Sequence, residues 1–231
     1  MKISSLQKGL VGHWPLAQQD LQSTTTIADK TPYGNTGTLV GSPTFTTDQH
    51  GQANRAMAFD GSSQDILNST ANFRSGDSAG SISAWINFSS IAAAICIFGS
   101  SDQGTSTSYI YALVRSATSR LSIAQRNAAS TLNNIEGTTV LSINTWYHIG
   151  VTSSGTAWAL YVNGVAESLT VLSGANTGDW FADTTLRDNF TIGALKHSSV
   201  VNYFPGSIAA VRLYDRALSA TEVTSLYNLY L

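Results

Sequence analysis

The segment SGANTGDWFADTTLRDN, from Ser173 to Asn189, gathers an indole, several carboxylates and a guanidinium in one turn-rich stretch. Trp180 stands there with Asp179, Asp183, Arg187 and Asp188. A second loop, KHSSVVNYF from Lys196 to Phe204, adds His197, Asn202 and Tyr203. An aromatic face beside carboxylate, carboxamide and guanidinium groups on loops suits stacking against, and hydrogen bonding to, a polyhydroxylated ligand. Asp179, Trp180, Asp183, Arg187, His197, Asn202 and Tyr203 are therefore the candidate ligand-binding residues. Two other readings of the aromatics stay open. Trp180 and Phe181 could plug the end of a β-sandwich, or they could contact a neighbouring subunit.

Bond-breaking chemistry has a weaker footing. Gly76-Asp77-Ser78-Ala79-Gly80 matches the G-x-S-x-G elbow, but that elbow needs a helix after its serine, and Ser81–Phe88 alternates as a strand. His13, His50, His148 and His197 are scattered without metal-ligand spacing, and His148 alternates with Trp146 as a structural residue would. The single cysteine, Cys96, lies inside Ala-Ile-Cys-Ile-Phe and reads as a buried small hydrophobe. None of the four lysines closes a phosphate-binding glycine loop. Asn-x-Ser/Thr sequons at Asn68, Asn87 and Asn189 carry little weight without an export signal.

The elements that must hold these loops are strands. TWYHIGVTSSGTAWALYVNG, Thr145 to Gly164, places Tyr147, Ile149 and Val151 on one face, then Trp158, Leu160 and Val162 on one face after a Ser-Ser-Gly turn. Asn163-Gly164 supplies the two positive-φ positions of a type I′ turn, so a third strand, Val165–Val171, folds back. Further strand-like segments are Leu10–Leu16, Thr36–Val40, Ala56–Phe59, Asp65–Asn68, Ser81–Phe88, Ile95–Gly99, Tyr109–Arg115, Arg120–Gln125, Phe190–Gly193 and Gly206–Tyr214. Short strands at this spacing predict an all-β, two-sheet antiparallel jelly-roll sandwich. One short C-terminal helix is signalled by the capping box Ser219-Ala-Thr-Glu222, followed by an apolar stripe of Val223, Leu226, Tyr227 and Tyr230.

Composition narrows the partners. The 231 residues suit one domain over 9–231 behind an N-terminal extension, 1–8. Charged residues are 11% and the net charge is −2, which gives no electrostatic reason to bind nucleic acid or anionic lipid. No run is long enough for membrane insertion. The start, MKISSLQKGLVGHW, has no signal-peptide core. Either the numbering begins after processing, or the chain reaches its working place without that export route, as a virion component made in a host cytoplasm would.

Five landmarks, in order, resemble the laminin-G-like jelly rolls of the concanavalin A-like lectin/glucanase superfamily, which includes the pentraxins. They are GLVGHWPL from Gly9, ADKTPYGNTGTL at 28–39, AMAFDGSSQDIL at 56–67, SISAWINF at 81–88 with WYHIGVT and WALYVNGV, and FPGSIAAVRLYDRALSATEVTSLY from Phe204. The resemblance implies a rim of loops that often binds calcium and glycans, without catalysis in most stand-alone members. It points to Asp29, Asn35 and Asp60 as calcium ligands. On their own terms Asp29 is a turn residue and Asp60 belongs to an Asp-Gly turn. Two acidic pairs common in the family are Ala17-Gln18 and Ala209-Ala210 here, which weakens a calcium site. The glucanase branch places paired carboxylates as Glu-x-Asp-x-x-Glu on one strand; the three glutamates here, Glu136, Glu167 and Glu222, are not so spaced.

The expectation is a non-catalytic, lectin-like module that binds glycan or a protein partner, at the cell exterior or a virion surface. The alternative is a structural subunit of a larger assembly or oligomer, such as a virion decoration or tail-associated protein, docking through Met1–Lys8. A glycoside hydrolase is the third reading.

Overall fold

The computed structural model describes residues 3–128 and 131–229. Two large antiparallel sheets make a jelly-roll sandwich. Sheet A has the order β15 (Val165–Ala166), β14 (Trp158–Val162), β13 (Tyr147–Ser153), β8 (Gly80–Phe88), β20 (Pro205–Tyr214), β6 (Ala56–Asp60), β5 (Thr44–Thr46). Its eighth strand, β1 (Leu10–Trp14), pairs with the C-terminal half of β20, while β6 takes the N-terminal half. The exchange falls at a bulge, where Ala210 has φ +52°.

Sheet B runs β16 (Thr170–Ser173), β12 (Asn133–Val140), β11 (Arg120–Arg126), β10 (Tyr109–Val114), β9 (Ile95–Ser101), β17 (Phe190–Ile192), β7 (Asp65–Asn68), β4 (Gly37–Val40), β3 (Thr26–Ile27), β2 (Leu21–Ser23). A small ribbon, β18 (Leu195–Lys196) with β19 (Val200–Val201), stands apart from both.

Alternation along the strands builds the core. Ile82, Ile86, Phe88, Ile149, Val151, Trp158 and Leu160 face inward from sheet A; Ile97, Ile110, Ile123, Ile135 and Phe190 meet them from sheet B. Full burial of each such side chain contributes about 1.5–3 kcal/mol. Trp14 stacks on Phe190 across the sandwich, with centroids 5.4 Å apart. Asn163 (φ +50°) and Gly164 (φ +76°) form the tight turn their types predict. The expected strand Val165–Val171 is two: β15 pairs with β14 in sheet A, and β16 pairs with β12 in sheet B. Between them the chain crosses the sandwich edge at Glu167, whose carboxylate accepts from the Thr138 and Thr139 amides.

The C-terminal helix α2 (Ala220–Asn228) begins on its capping box: Ser219 Oγ accepts from the Glu222 amide, and Glu222 accepts from the Ser219 amide at 2.9 Å. Arg216 clamps the same carboxylate at 2.7 Å and holds Glu222 down to about 2. Val223 and Leu226 bury themselves with Tyr161, Tyr214 and Leu218 on the outer face of sheet A, while Tyr227 stacks on Trp85 at 5.6 Å. A short helix the sequence does not announce, α1 (Ile3–Gln7), adds Leu6 to that cluster. Met1, Lys2 and Tyr230 lie outside the described residues. No helix among the described residues is long and apolar enough to cross a membrane.

Candidate functional site

The loop from β16 to β17 closes one end of the sandwich, and its two largest side chains point inward. Trp180 is 0% exposed, stacked on Phe181 at 5.1 Å and tilted against Phe98 at 6.3 Å. A methyl group on Gly80, at the start of β8, would strike the indole, so only glycine fits there. Arg187 is 1% exposed and acts as a bolt. It donates to the carbonyls of Phe181, Thr184 and Phe73 and to Ser100 Oγ, at 2.7–3.1 Å, with its guanidinium 4.5 Å from the Phe181 ring centre. Burial pulls its pKa down to about 10 against the opposing charge of Asp77. The expectation of a solvent-facing Trp180 and Arg187 thus gives way to a buried plug. A neighbouring Trp-Phe pair and five guanidinium donors satisfied by loop carbonyls hold the rim rigid.

What this plug supports is a polar cleft of about 470 Å³, lined by Gln125, Asn127, Thr131, Asn133, Asp179 and Asp183. Asn133 Nδ2 donates to Asp179 Oδ2 at 2.9 Å and to Thr177 Oγ1 at 3.2 Å, while its Oδ1 accepts from the Ala175 amide. Asp183 Oδ2 accepts from the Trp180 amide at 2.8 Å. Gln125 Nε2 donates to the Asp183 carbonyl and to Thr184 Oγ1, both at 2.9 Å. The frame is therefore pre-ordered, with carboxylates and carboxamides converging on an open space.

The seven expected ligand residues divide among four places. Asp179 and Asp183 line the cleft; Trp180 and Arg187 lie in the core. His197 sits on the outer side of sheet B, 6.4 Å from the Tyr109 ring, and burial lowers its pKa. Asn202 and Tyr203 lie elsewhere, the Asn202 carbonyl accepting from the Cys96 amide. Burial and the charges of Asp65 and Asp60 raise the Tyr203 hydroxyl. Gln125, Asn127, Thr131 and Asn133 join the cleft unannounced. Their signal is the stretch RNAASTLNN, rich in asparagine at the turn between β11 and β12.

The expected calcium ligands are engaged by donors. Asp29 Oδ1 accepts from the His13 and Thr31 amides, and Oδ2 accepts from Thr31 Oγ1, the Asn35 amide and Asn35 Nδ2, all at 2.7–2.9 Å. Asp60 accepts from the amides of Ser62, Ser63 and Gln64 and from both serine hydroxyls. Burial raises its carboxyl slightly, but the bonds from Ser63 and Ser62 outweigh that and hold it well below the usual range. A cage of N–H and O–H donors does not fit Ca²⁺, which needs six to eight oxygen acceptors. No group of three His, Cys, Asp or Glu residues that could hold a metal is found among the described residues.

Potential catalytic groups are likewise engaged. Glu136 lies between Arg115 (3.1 Å) and Arg120 (3.6 Å), and Glu222 serves the helix cap. Ser78 is exposed, but strand β8 follows it rather than a helix. Cys96 is fully buried, which raises its thiol well above the ordinary value.

A family profile described as the concanavalin A-like lectin/glucanases superfamily matches residues 60–224. The chain belongs to that superfamily. No curated protein matches it. Among solved structures it is similar to domain 4 of AbnA, a GH43 extracellular arabinanase from Geobacillus stearothermophilus, in complex with arabinotriose. There the TM-score is 0.70 at 19% identity, over 94% of this chain and 98% of that one. It is also similar to the CBM40 of the Ruminococcus gnavus IT-sialidase bound to α2,3 sialyllactose, with TM-score 0.57, 15% identity, and 64% and 82% of the two chains. The receptor binding domain of a botulinum neurotoxin C/D mosaic gives a TM-score of 0.70 at 13% identity, with 96% of this chain over 51% of that one.

Proposed function

We propose that this chain is a non-catalytic glycan-recognition module whose ligand occupies the rim cleft. The observation that carries the reading is the cleft itself: Gln125, Asn127, Thr131, Asn133, Asp179 and Asp183 converge on one open space, braced by the Trp180–Arg187 plug. Such groups exchange hydrogen bonds with sugar hydroxyls, and a pre-ordered site lowers the entropic cost of binding. Similar folds carry arabinotriose in the arabinanase domain and sialyllactose in the sialidase module. No glutamate lines the cleft. The reading puts the chain where glycans are displayed, outside the cell or on a virion surface. A glycan array, run with the intact protein and with Asn133→Ala, tests it. Binding of at least one glycan that weakens about tenfold or more in the variant supports it; silence across neutral and acidic glycans at millimolar concentration rejects it.

A second reading, as a subunit of a larger assembly, is favoured by one edge of the sandwich. Val165, Leu169, Val171 and Leu172 are exposed along the edge strands β15 and β16. Residues 165–173 contain no lysine or proline to guard that edge. Light scattering that shows a concentration-dependent oligomer, abolished by Val171→Lys, would establish it.

A further inference from the structure

We infer that the outer face of sheet B carries a second sugar subsite, built on Tyr109 and Tyr111 and continuous with the rim cleft, so that the ligand is an oligosaccharide rather than a single sugar. The inference rests on the glycan reading above and extends it to a surface the cleft does not include.

Strand β10 sends Ile110, Ala112 and Val114 into the core and turns Tyr109 and Tyr111 outward. The two rings meet edge to face, with centroids 5.5 Å apart and planes at 77°, which makes an aromatic corner. Both side chains stay partly exposed. Arg126, opposite Tyr109 on β11, hydrogen-bonds the Tyr109 side chain and fixes one arm of the corner. Tyr111 has Gly99 opposite it on β9 and Ala124 on β11, so no long side chain from either neighbour covers its ring.

The ribbon β18–β19 forms a wall along this corner. A methyl group on Gly99 would meet Leu195 Cδ1 at 3.0 Å, so the ribbon lies directly on β9. Ser101 Oγ and Asn189 Nδ2 both donate to the Lys196 carbonyl, at 2.6 and 2.8 Å, and pin it there. This sets the His197 ring beside Tyr109. On the other side Asn134 follows Ala124 in register. The furrow thus has an aromatic floor and polar edges of Arg126, His197 and Asn134. C–H faces of a sugar ring pack on such a floor while the edges meet its hydroxyls.

Continuity with the cleft follows from the strand ends. Asn127 of the cleft directly follows Arg126, and Ser108 Oγ, just before Tyr109, donates to Asn127 Oδ1 at 3.3 Å. From Asn127 to Ala124 is three extended residues, about 10 Å. A linear saccharide leaving the cleft along β11 therefore passes over Tyr111.

The test is calorimetric titration with arabinose and arabinotriose, and with sialic acid and α2,3 sialyllactose. Wild type, Asn133→Ala, Tyr109→Ala, Tyr111→Ala and Tyr111→Phe are compared, each checked for folding by near-UV circular dichroism. The trisaccharide should bind more tightly than its monosaccharide. Tyr111→Ala should remove about three- to tenfold of that advantage, Tyr111→Phe should retain it, and Asn133→Ala should weaken both sugars. Tyr109→Ala reports the same loss if Tyr111→Ala does not fold. Trisaccharide binding that Asn133→Ala abolishes and neither tyrosine variant changes overturns the subsite and leaves the cleft reading standing. If no saccharide binds the wild type at millimolar concentration, the glycan reading falls and the subsite with it.

Discussion

Sheet A turns Trp85, His148, Tyr161 and Tyr214 outward, and all four are covered: α2 lays Val223, Leu226 and Tyr227 over them, and Leu6 of α1 joins the same layer. Sheet B turns Tyr109, Tyr111, Arg126 and Asn134 outward, and all four stay partly exposed. The same alternation builds both faces, so patterning within the strands does not separate them. The termini do, because both described helices pack on sheet A. The covered face even holds polar atoms without a partner, among them His13 Nε2, Ser83 Oγ, Trp85 Nε1 and His148 Nδ1. Closing it costs desolvation. What remains open for a ligand is sheet B and its rim.

The sharpest test of this division is at the rim plug. Trp180→Ala should destabilise the fold by about 3–5 kcal/mol, the cost of emptying a large aromatic site. Urea denaturation measures it. Near-normal stability with lost glycan binding would instead make Trp180 a ligand contact and break the contrast between plug and cleft.

Acid probes the covered face. Burial, and then the charge of Arg212, lowers His13 to about 4 and His148 to about 3, from an ordinary 6.5. Both are favoured neutral in the folded state, so the unfolded chain takes up protons first. Stability is complete above pH 6.5 and falls as the pH drops toward 4, by up to about 1.4 kcal/mol per pH unit for each histidine. Denaturation midpoints at a series of pH values should show this slope, and His148→Asn should flatten it. An unchanged slope would mean that the face under α2 is not dry.

Ser219→Ala removes the helix cap over sheet A and should cost about 1 kcal/mol, read as a lower thermal midpoint. The smallest effect is expected from chelation. EDTA should leave the thermal midpoint where it was, because Asp29 and Asp60 are held by N–H and O–H donors. A drop of several degrees would restore calcium to the rim loops.

Much of the frame was legible in the residues. Alternation in Trp146–Val162 and the Asn163-Gly164 turn give the central hairpin, and Ser219-to-Glu222 gives the helix start. The strand Asn133–Val140 was not legible, because NNIEGTTV has only Ile135 turned into the core among polar residues and glycine. The break at Glu167 was hidden for a different reason: Val165–Val171 has strand-like composition throughout, and only tertiary pairing sends its halves to different sheets. The site was half legible. Asp179 and Asp183 were found from their loop, but composition cannot say whether a tryptophan between them faces water. Its direction depends on Gly80 and Phe98, far away in sequence. The cleft residues on β11 and β12 were missed along with the strand that carries Asn133.

The most direct measurement is backbone and side-chain amide NMR of the labelled chain, titrated with arabinotriose and with α2,3 sialyllactose. The account predicts that shifts concentrate on Gln125, Asn127, Asn133, Asp179 and Asp183 and extend to Tyr111 and Arg126, leaving α2 and the outer face of sheet A unmoved. Shifts centred on α2, or none at all at millimolar sugar, would contradict it.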